Sequence, residues 1–273
     1  MARHLRAAIQ PAAMNPSGAE RIQKVLARAG LGSRRQIEGW ITTGRIQVNG
    51  KAAELGQRIA PGDHVLLDGK PVELAPAGRA ASRVLAYYKP AGEICTRSDP
   101  EGRTTVYQHL PAPDHGRWVS IGRLDYNTAG LLLFTNDGEL AHGLMHPSRQ
   151  VEREYAVRVR GKAEEDTLRA MLEGVTLDDG PARFAAVRDA GGEGANHWYH
   201  VVLKEGRNRE VRRVFEAMGM EVSRLIRVRF GCCDLPRERR TGDHWELGSR
   251  EVAALWRLAR GERPRPGGKR VRK

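Results

Sequence analysis

Gly122-Arg123-Leu124-Asp125-Tyr126-Asn127-Thr128-Ala129-Gly130 runs directly into Leu131-Leu132-Leu133-Phe134. The apolar run, bounded by Gly130 and the turn signal Asn136-Asp137-Gly138, predicts a strand covered on both faces. The nine residues before it follow no regular period. They hold one acid, one base, an Asn and a Thr between two glycines, so a single carboxylate is presented at the mouth of a packed sheet. An Asp in such a loop is ordinarily a turn or cap residue, or the partner of a neighbour such as Arg123. Other segments must supply the reason for a chemical role.

At 273 residues the chain is long enough for more than one domain, since single cores stop growing at about 250 to 300 residues. Lys and Arg outnumber Asp and Glu by 46 to 33, and the net charge of +13 favours a polyanion through counterion release. Nucleic acid is therefore the expected partner. No run of about 18 apolar residues occurs, so neither a transmembrane helix nor a membrane partner is expected. Residues 1–19 carry Arg3 and Arg6, but Pro11 and Pro16 interrupt any signal-peptide core, and a disordered leader is expected. Cys95, Cys232 and Cys233 make neither a disulfide framework nor a Cys-x-x-Cys zinc site, which suits a reducing cytoplasm.

From Glu20 the pattern is helical: Ile22, Val25, Leu26 and Ala29 share a face, and Gly30 and Gly32 end the helix. Ser33 with Gln36 has the form of a capping box opening a second helix, buried through Ile37, Trp40 and Ile41. Short strands follow at Ile46-Gln47-Val48 and Val65-Leu66-Leu67, with turns at Asn49-Gly50 and Asp68-Gly69. Arg34 and Arg35 fall in the first turn of the second helix, where the macrodipole disfavours cations, so an anion such as phosphate is expected beside them. A unit over residues 20–74 and a linker over 75–82, which lacks large apolar side chains, result.

The second unit, residues 83–260, opens with the strand Val84 to Tyr88, stopped by Lys89-Pro90. Glu139 to Met145 reads as a short helix. Residues 151–160 alternate, with Val151, Tyr155, Val157 and Val159 inward and Arg158 and Arg160 outward. Gly191 to Gly194 reads as a hairpin loop, and Leu225 to Phe230 as a strand with apolar residues inward and arginines out. In Glu205 to Phe215 a strand turns into an amphipathic helix with Val211, Val214 and Phe215 inward. Arg212 lies at the margin of that stripe, while Arg207, Arg209 and Arg213 are placed to face outward. A guanidinium at a core margin needs a carboxylate, which makes Arg212 a mate for Asp125. His142 and His146, four apart, have no third ligand beside them, so no metal site is expected. Residues 261–273 form a basic tail without apolar period, expected to be disordered.

Three separated segments resemble one family, the bacterial pseudouridine synthases of the RsuA/RluB type. They are Gly122-Arg123-Leu124-Asp125 with Asn127-Thr128 and its apolar run, Glu154-Tyr155-Ala156-Val157, and Glu205-Gly206-Arg207-Asn208-Arg209-Glu210-Val211-Arg212-Arg213. The first unit, with Ser33-Arg34-Arg35 and Asn49-Gly50, resembles an S4 (alpha-L) RNA-binding domain. The resemblance implies an α+β fold, with the S4 domain preceding a catalytic domain on a mixed, mostly antiparallel sheet. Gly92-Glu93-Ile94-Cys95-Thr96-Arg97, Asp99-Pro100-Glu101-Gly102-Arg103 and Ser223-Arg224-Leu225-Ile226-Arg227 are similar to the large-subunit branch, implying a uridine in a 23S rRNA stem-loop. Cys232 to Glu238 departs from the acid-and-Pro pattern of that branch, which bears on the RNA site and not on the catalytic assignment.

The implied reaction is a cofactor-free isomerisation of uridine by a monomer, after the base leaves the helical stack. Asp125 acts either as nucleophile at the sugar or as the base that takes the C2′ proton. Tyr155 stacks on the flipped uracil, Arg212 pairs with Asp125, Val211 walls the pocket, and Arg123 enters the vacated space or holds the backbone. Ser33, Arg34, Arg35, Arg207 and Arg209 meet the RNA without reading bases. A non-catalytic S4 RNA-binding protein, an acid-dependent RNA hydrolase and the same chemistry on small-subunit rRNA are the rivals.

Overall fold

The computed structural model describes residues 18–74 and 82–262, so nearly all of the expected leader, linker and tail lie outside the described residues. The chain divides between Ala80 and Ala81 into two compact units. In the first, β1 (Glu20–Arg21) leads into α1 (Ile22–Arg28) and α2 (Arg34–Thr42). Then come β2 (Ile46–Val48), β3 (Lys51–Ala52), β4 (Arg58–Ile59), β5 (Val65–Leu67) and β6 (Lys70–Pro71). β1 pairs with β4, and the others form a sheet in the order β3-β2-β5-β6. Ser33 Oγ accepts from Gln36 N–H and Gln36 Oε1 from Ser33 N–H, the expected capping box. Asn49 and Gly50, at φ 52° and 79°, form the two-residue turn between β2 and β3, where both central residues need positive φ. Ile22, Leu26, Ile37, Ile41, Ile46 and Val48 make the core between helices and sheet.

The second unit begins with β7 (Val84–Lys89), β8 (Val119–Ile121), β9 (Ala129–Thr135) and α3 (Gly138–Met145). It continues through β10 (Arg153–Arg160), α4 (Glu165–Glu173), β11 (Val175–Leu177), β12 (Gly180–Ala182), β13 (Ala186–Glu193) and β14 (Asn196–Leu203). α5 (Glu210–Ala217), β15 (Val222–Phe230), β16 (Cys233–Asp234), β17 (His244–Glu246) and α6 (Ser249–Arg260) complete it. The main sheet runs β13-β14-β10-β15-β9-β7-β17, with β16 beside β15 and β8 beside β9. Its pairings are antiparallel except one: β15 lies parallel to β9, with Ile226 opposite Ala129 and Arg227 opposite Gly130. Two antiparallel half-sheets thus meet at a short parallel seam, and the loop from Gly122 to Gly130 ends on it.

Gly130 is there for two physical reasons. Its φ is +115°, and a Cβ would lie 2.3 Å from the carbonyl oxygen of Arg227 and 2.4 Å from its nitrogen. Beyond it, Leu131 and Leu133 pack with Leu140 and Leu255 on one face, and Leu132 and Phe134 with Tyr87 and Trp118 on the other. β9 is buried on both faces, as its unbroken apolar run predicts.

Two expectations need correction. Val151 precedes β10 and packs with Leu131 and Phe230, so it does not share the face of Val157 and Val159. In β15 the arginines do not point out: Arg227 is 2% and Arg229 8% exposed. Arg227 shares the parity of the inward-facing Leu225, the register shift opposite Glu154/Tyr155 sets Arg229 opposite Glu154, and both buried guanidiniums find partners beyond their own strand. Arg227 Nε donates to Leu131 O at 2.7 Å, and Arg229 reaches Glu154 at 3.0 Å and Glu152 at 3.1 Å.

Candidate active site

Between β8 and β9 the chain makes a turn in which the carbonyls from Leu124 to Thr128 are all taken. Leu124 O accepts from Cys95 Sγ at 3.3 Å, Tyr126 O from Gly92 N–H at 2.8 Å and Asn127 O from Arg212 Nη2 at 3.0 Å. Asp125 O accepts from Thr128 N–H at 3.0 Å and from Lys89 Nζ at 3.2 Å, and Thr128 O from Lys89 Nζ at 2.9 Å. Five consecutive carbonyls are therefore held by Lys89 of β7, Gly92 and Cys95 of the loop after it, Arg212 of α5 and Thr128 of the turn itself. The half-buried Asp125 carboxylate has no hydrogen bond or ion pair among the described residues. A rigid backbone carrying a free functional group is the arrangement of a preorganised reactive side chain.

Lys89 is wholly buried, and its third carbonyl partner is Pro90 O at 2.8 Å. Burial pushes its ammonium below the usual lysine range, against the opposing pull of Cys95, Glu93 and Asp125. Cys95 also receives Leu124 N–H at 3.4 Å, and burial pushes its thiol up. The segment carrying Gly92 and Cys95 is itself anchored by the buried Glu93, which accepts from Tyr87 Oη at 2.8 and 3.0 Å. Lys89, Gly92, Glu93 and Cys95 do not follow from the sequence pattern. The available signal was a lysine continuing an apolar strand up to Pro90, where a cation is costly unless used.

Across the seam lies Tyr155, opposite Arg227 on β15, while Arg227 is opposite Gly130 on β9. Tyr155 is half-buried and packs against both apolar clusters that flank the loop. Val211 is 4% exposed and belongs to the α5 core beneath it, so it supports the site from within. Arg212 is buried at the start of α5 and donates to Val222 O at 2.7 Å as well as to Asn127 O. The expected Arg212–Asp125 ion pair is thus corrected: two guanidinium nitrogens donate to main-chain carbonyls instead. Burial and Arg209 push the Arg212 guanidinium down, and the Asp125 charge opposes this. The two charges interact through space, with Arg212 gripping the loop two residues past the acid.

Arg123 is exposed, as are Arg34 and Arg35, and no ion pair of these three occurs among the described residues. Arg209, at the N-terminal end of α5 with φ +49°, is exposed and lies 3.7 Å from Glu216. Arg207 does not face outward as expected. Its Nη1 and Nη2 donate to Asp179 Oδ1, Gly180 O and Pro181 O at 3.2, 3.3 and 2.7 Å, tying α5 to the β11–β12 turn. Arg213 joins it with two bonds to Asp179 at 2.8 and 2.9 Å. The His142 and His146 rings meet edge-on at 5.7 Å, and no group of three metal-ligating side chains occurs among the described residues. No helix among the described residues is long and apolar enough to cross a membrane.

The family model described as RNA pseudouridylate synthase matches residues 83–217, and that of the S4 domain residues 20–65. Ribosomal large subunit pseudouridine synthase B of Pseudomonas aeruginosa is 55% identical over 86% of this chain, which spans 61% of that protein's length. Its namesake in Escherichia coli (strain K12) is 57% identical over 84% of this chain and 79% of its own length. A crystal structure described as a pseudouridylate synthase superposes with a TM-score of 0.60 at 26% identity, covering 86% of this chain and 99% of that one.

Proposed function

Because this chain belongs to the RNA pseudouridylate synthase family, we propose that it converts a uridine of large-subunit (23S) ribosomal RNA into pseudouridine, with Asp125 as the reactive group. The observation that carries this reading is the free Asp125 carboxylate on a turn whose five carbonyls are fixed. The reaction breaks the bond from C1′ to N1 of uracil and makes one from C1′ to C5. The proton lost from C5 is balanced by the proton gained at N1, so product and substrate are isomers and no cofactor is consumed. The base must first leave the stack. Asp125 then attacks the sugar or removes the C2′ proton, and either role requires an ionised carboxylate held in place.

Tyr155 stacks on the extruded uracil, as aromatic rings do on unstacked bases. Arg212 keeps Asp125 oriented by holding Asn127 O, two residues past the acid. Arg123, exposed two residues before Asp125, fills the place the base vacates. Ser33 presents the α2 N-terminus on which Arg34 and Arg35 meet phosphate, and Arg209 does the same beside α5. The enzyme acts as a cytoplasmic monomer, where ribosomal RNA is assembled.

The deciding experiment is to incubate unmodified 23S rRNA with the protein and map pseudouridine by carbodiimide-dependent primer extension. One new stop is expected with the wild type and none with Asp125→Asn, at nearly unchanged RNA affinity. Turnover by that variant would overturn the role of Asp125. Binding without any modification would make the protein a non-catalytic S4-domain RNA binder, strand scission would make it a hydrolase, and a stop in 16S rRNA alone would move the substrate to the small subunit.

A further inference from the structure

One face of the half-sheet β13-β14-β10-β15 packs beneath α5, and the other carries the exposed Arg188 and Arg224. Val157, Val159, Tyr199, Val201 and Leu225 pack beneath α5, so the alternation of strand side chains sends Arg158, Trp198, His200 and Arg224 to the other face. Arg224 stands directly opposite Arg158, Arg158 opposite Trp198, and Arg188 opposite His200 in the next row. Arg188 and Arg224 are exposed. Like charges directly opposite one another in antiparallel strands are destabilising, so this row lowers the stability of the free protein.

The geometry fixes one of these cations in readiness for a ligand. Arg158 Nε donates to Ser223 Oγ at 3.0 Å, Ser223 Oγ donates back to Arg158 O at 3.1 Å, and the guanidinium lies 5.9 Å from the centre of the Trp198 ring. Its two terminal nitrogens make no hydrogen bond among the described residues. Glu154, on the same face, is already taken by His200 and Arg229. No ion pair of Arg158, Arg188 or Arg224 occurs among the described residues.

We propose that this open face is a second RNA-binding surface. Arg224 and Arg158, with Arg188 beside them, hold phosphates of a ribosomal RNA segment other than the one whose uridine enters the site of Asp125. A guanidinium offers the planar fork that fits phosphate, and the +13 charge of the chain favours RNA over a neutral partner. Arg212 and Tyr155 lie on the α5 side of the sheet, so an RNA held on the open face is separated from the reacting uridine by the sheet itself. The contacts are to backbone and place the enzyme on a large RNA without reading sequence.

The proposal rests on ribosomal RNA being the substrate, and the test keeps the two readings apart. Full-length R158Q/R224Q protein is compared with wild type on complete 23S rRNA and on a short hairpin cut around the modified uridine. Affinity is measured in the Asp125→Asn background, so that the comparison does not depend on turnover. The variant should bind complete rRNA on the order of tenfold more weakly near physiological salt, with a salt slope smaller by about two, while turnover and affinity on the hairpin stay unchanged. R224Q and R188Q alone, whose side chains are exposed, should each lower the slope by about one and serve if the double variant folds poorly. Equal losses on both RNAs, or no loss on either, would overturn the proposal. So would displacement of the rRNA from this face by polyglutamate as effective as that by unrelated RNA, which would assign the face to an acidic protein.

Discussion

The Lys89 ammonium grips the main chain of Asp125, 3.2 Å from its carbonyl, and leaves the carboxylate free. With Thr128 O and Pro90 O it forms a buried cage in which the cation has only backbone oxygens as hydrogen-bond partners. Lys89→Met should keep the apolar stem and release the turn. Misplacing a reacting group by about 1 Å can cost about 10²-fold, so the rate of the chemical step should fall by that order with RNA affinity preserved. Single-turnover kinetics beside a binding titration measures both. A variant with normal chemistry would show that the other donors to the turn suffice.

Gly130 and Gly122 both have positive φ, at +115° and +83°, but their surroundings differ. Around Gly122 a Cβ meets nothing within 4 Å, so Gly122→Ala should cost only the strain of the left-handed region, about 1–2 kcal/mol. At Gly130 the Cβ would overlap the Arg227 backbone at the parallel seam, and neither strand can yield without breaking the pairing. Gly130→Ala should therefore be destabilised by about 4 kcal/mol or more, or fail to fold. Urea unfolding of the two variants gives the comparison. Equal losses would mean that the seam is plastic.

The contrast also marks what could be read from the chain beforehand. The two-faced burial of Leu131 to Phe134 was legible because a local apolar run bounded by glycine and a turn has few other solutions. The capping box of Ser33 was legible for the same reason, being a contact over three residues, and so was a hairpin near Gly194, although its turn is Gly194-Ala195 and Gly191 to Glu193 belong to β13. Asp125 alone reads as a turn residue, and only the segments around Tyr155 and Arg212 give it a chemical role. The burial of Arg227 was not legible, since its partner Leu131 O is 96 residues away and becomes available only at the seam. For Arg212 the pattern shows that a guanidinium needs an acceptor and does not show that the backbone supplies it.

Glu210 introduces a pH dependence into the second unit. It is 3% exposed at the start of α5, and burial, with Glu205 beside it, pushes its carboxyl up to about 7 from 4.5. Between these values the native state keeps a proton that the unfolded chain has released. Stability from this group is therefore fully present below about pH 4.5 and is lost as pH rises through about 7. Asp179 works the other way, held down by its bonds from Arg213, but its window lies lower, below its ordinary 3.8. Glu210→Gln should remove the loss near neutrality, so the stability difference between wild type and variant should shift in favour of the variant as pH rises from about 5 to 8. Urea midpoints that run parallel across that range would rule out Glu210 as the source.

Arg34 and Arg35 separate from Arg207 by what their side chains already hold. The first two are exposed at the N-terminus of a capped helix and are without ion pairs among the described residues, so their cost to α2 is recovered only by an external anion. Replacing both by Gln should weaken RNA binding uniformly and lower the salt slope by about two, with thermal stability equal or slightly improved. Arg207, 22% exposed, spends its terminal nitrogens on the β11–β12 turn, and Arg207→Gln should instead lose about 1–3 kcal/mol of stability while leaving the salt slope in place. Measuring Kd against salt and Tm for both variants resolves the two roles. A lower slope in Arg207→Gln would show that RNA draws this arginine away from Asp179 on binding.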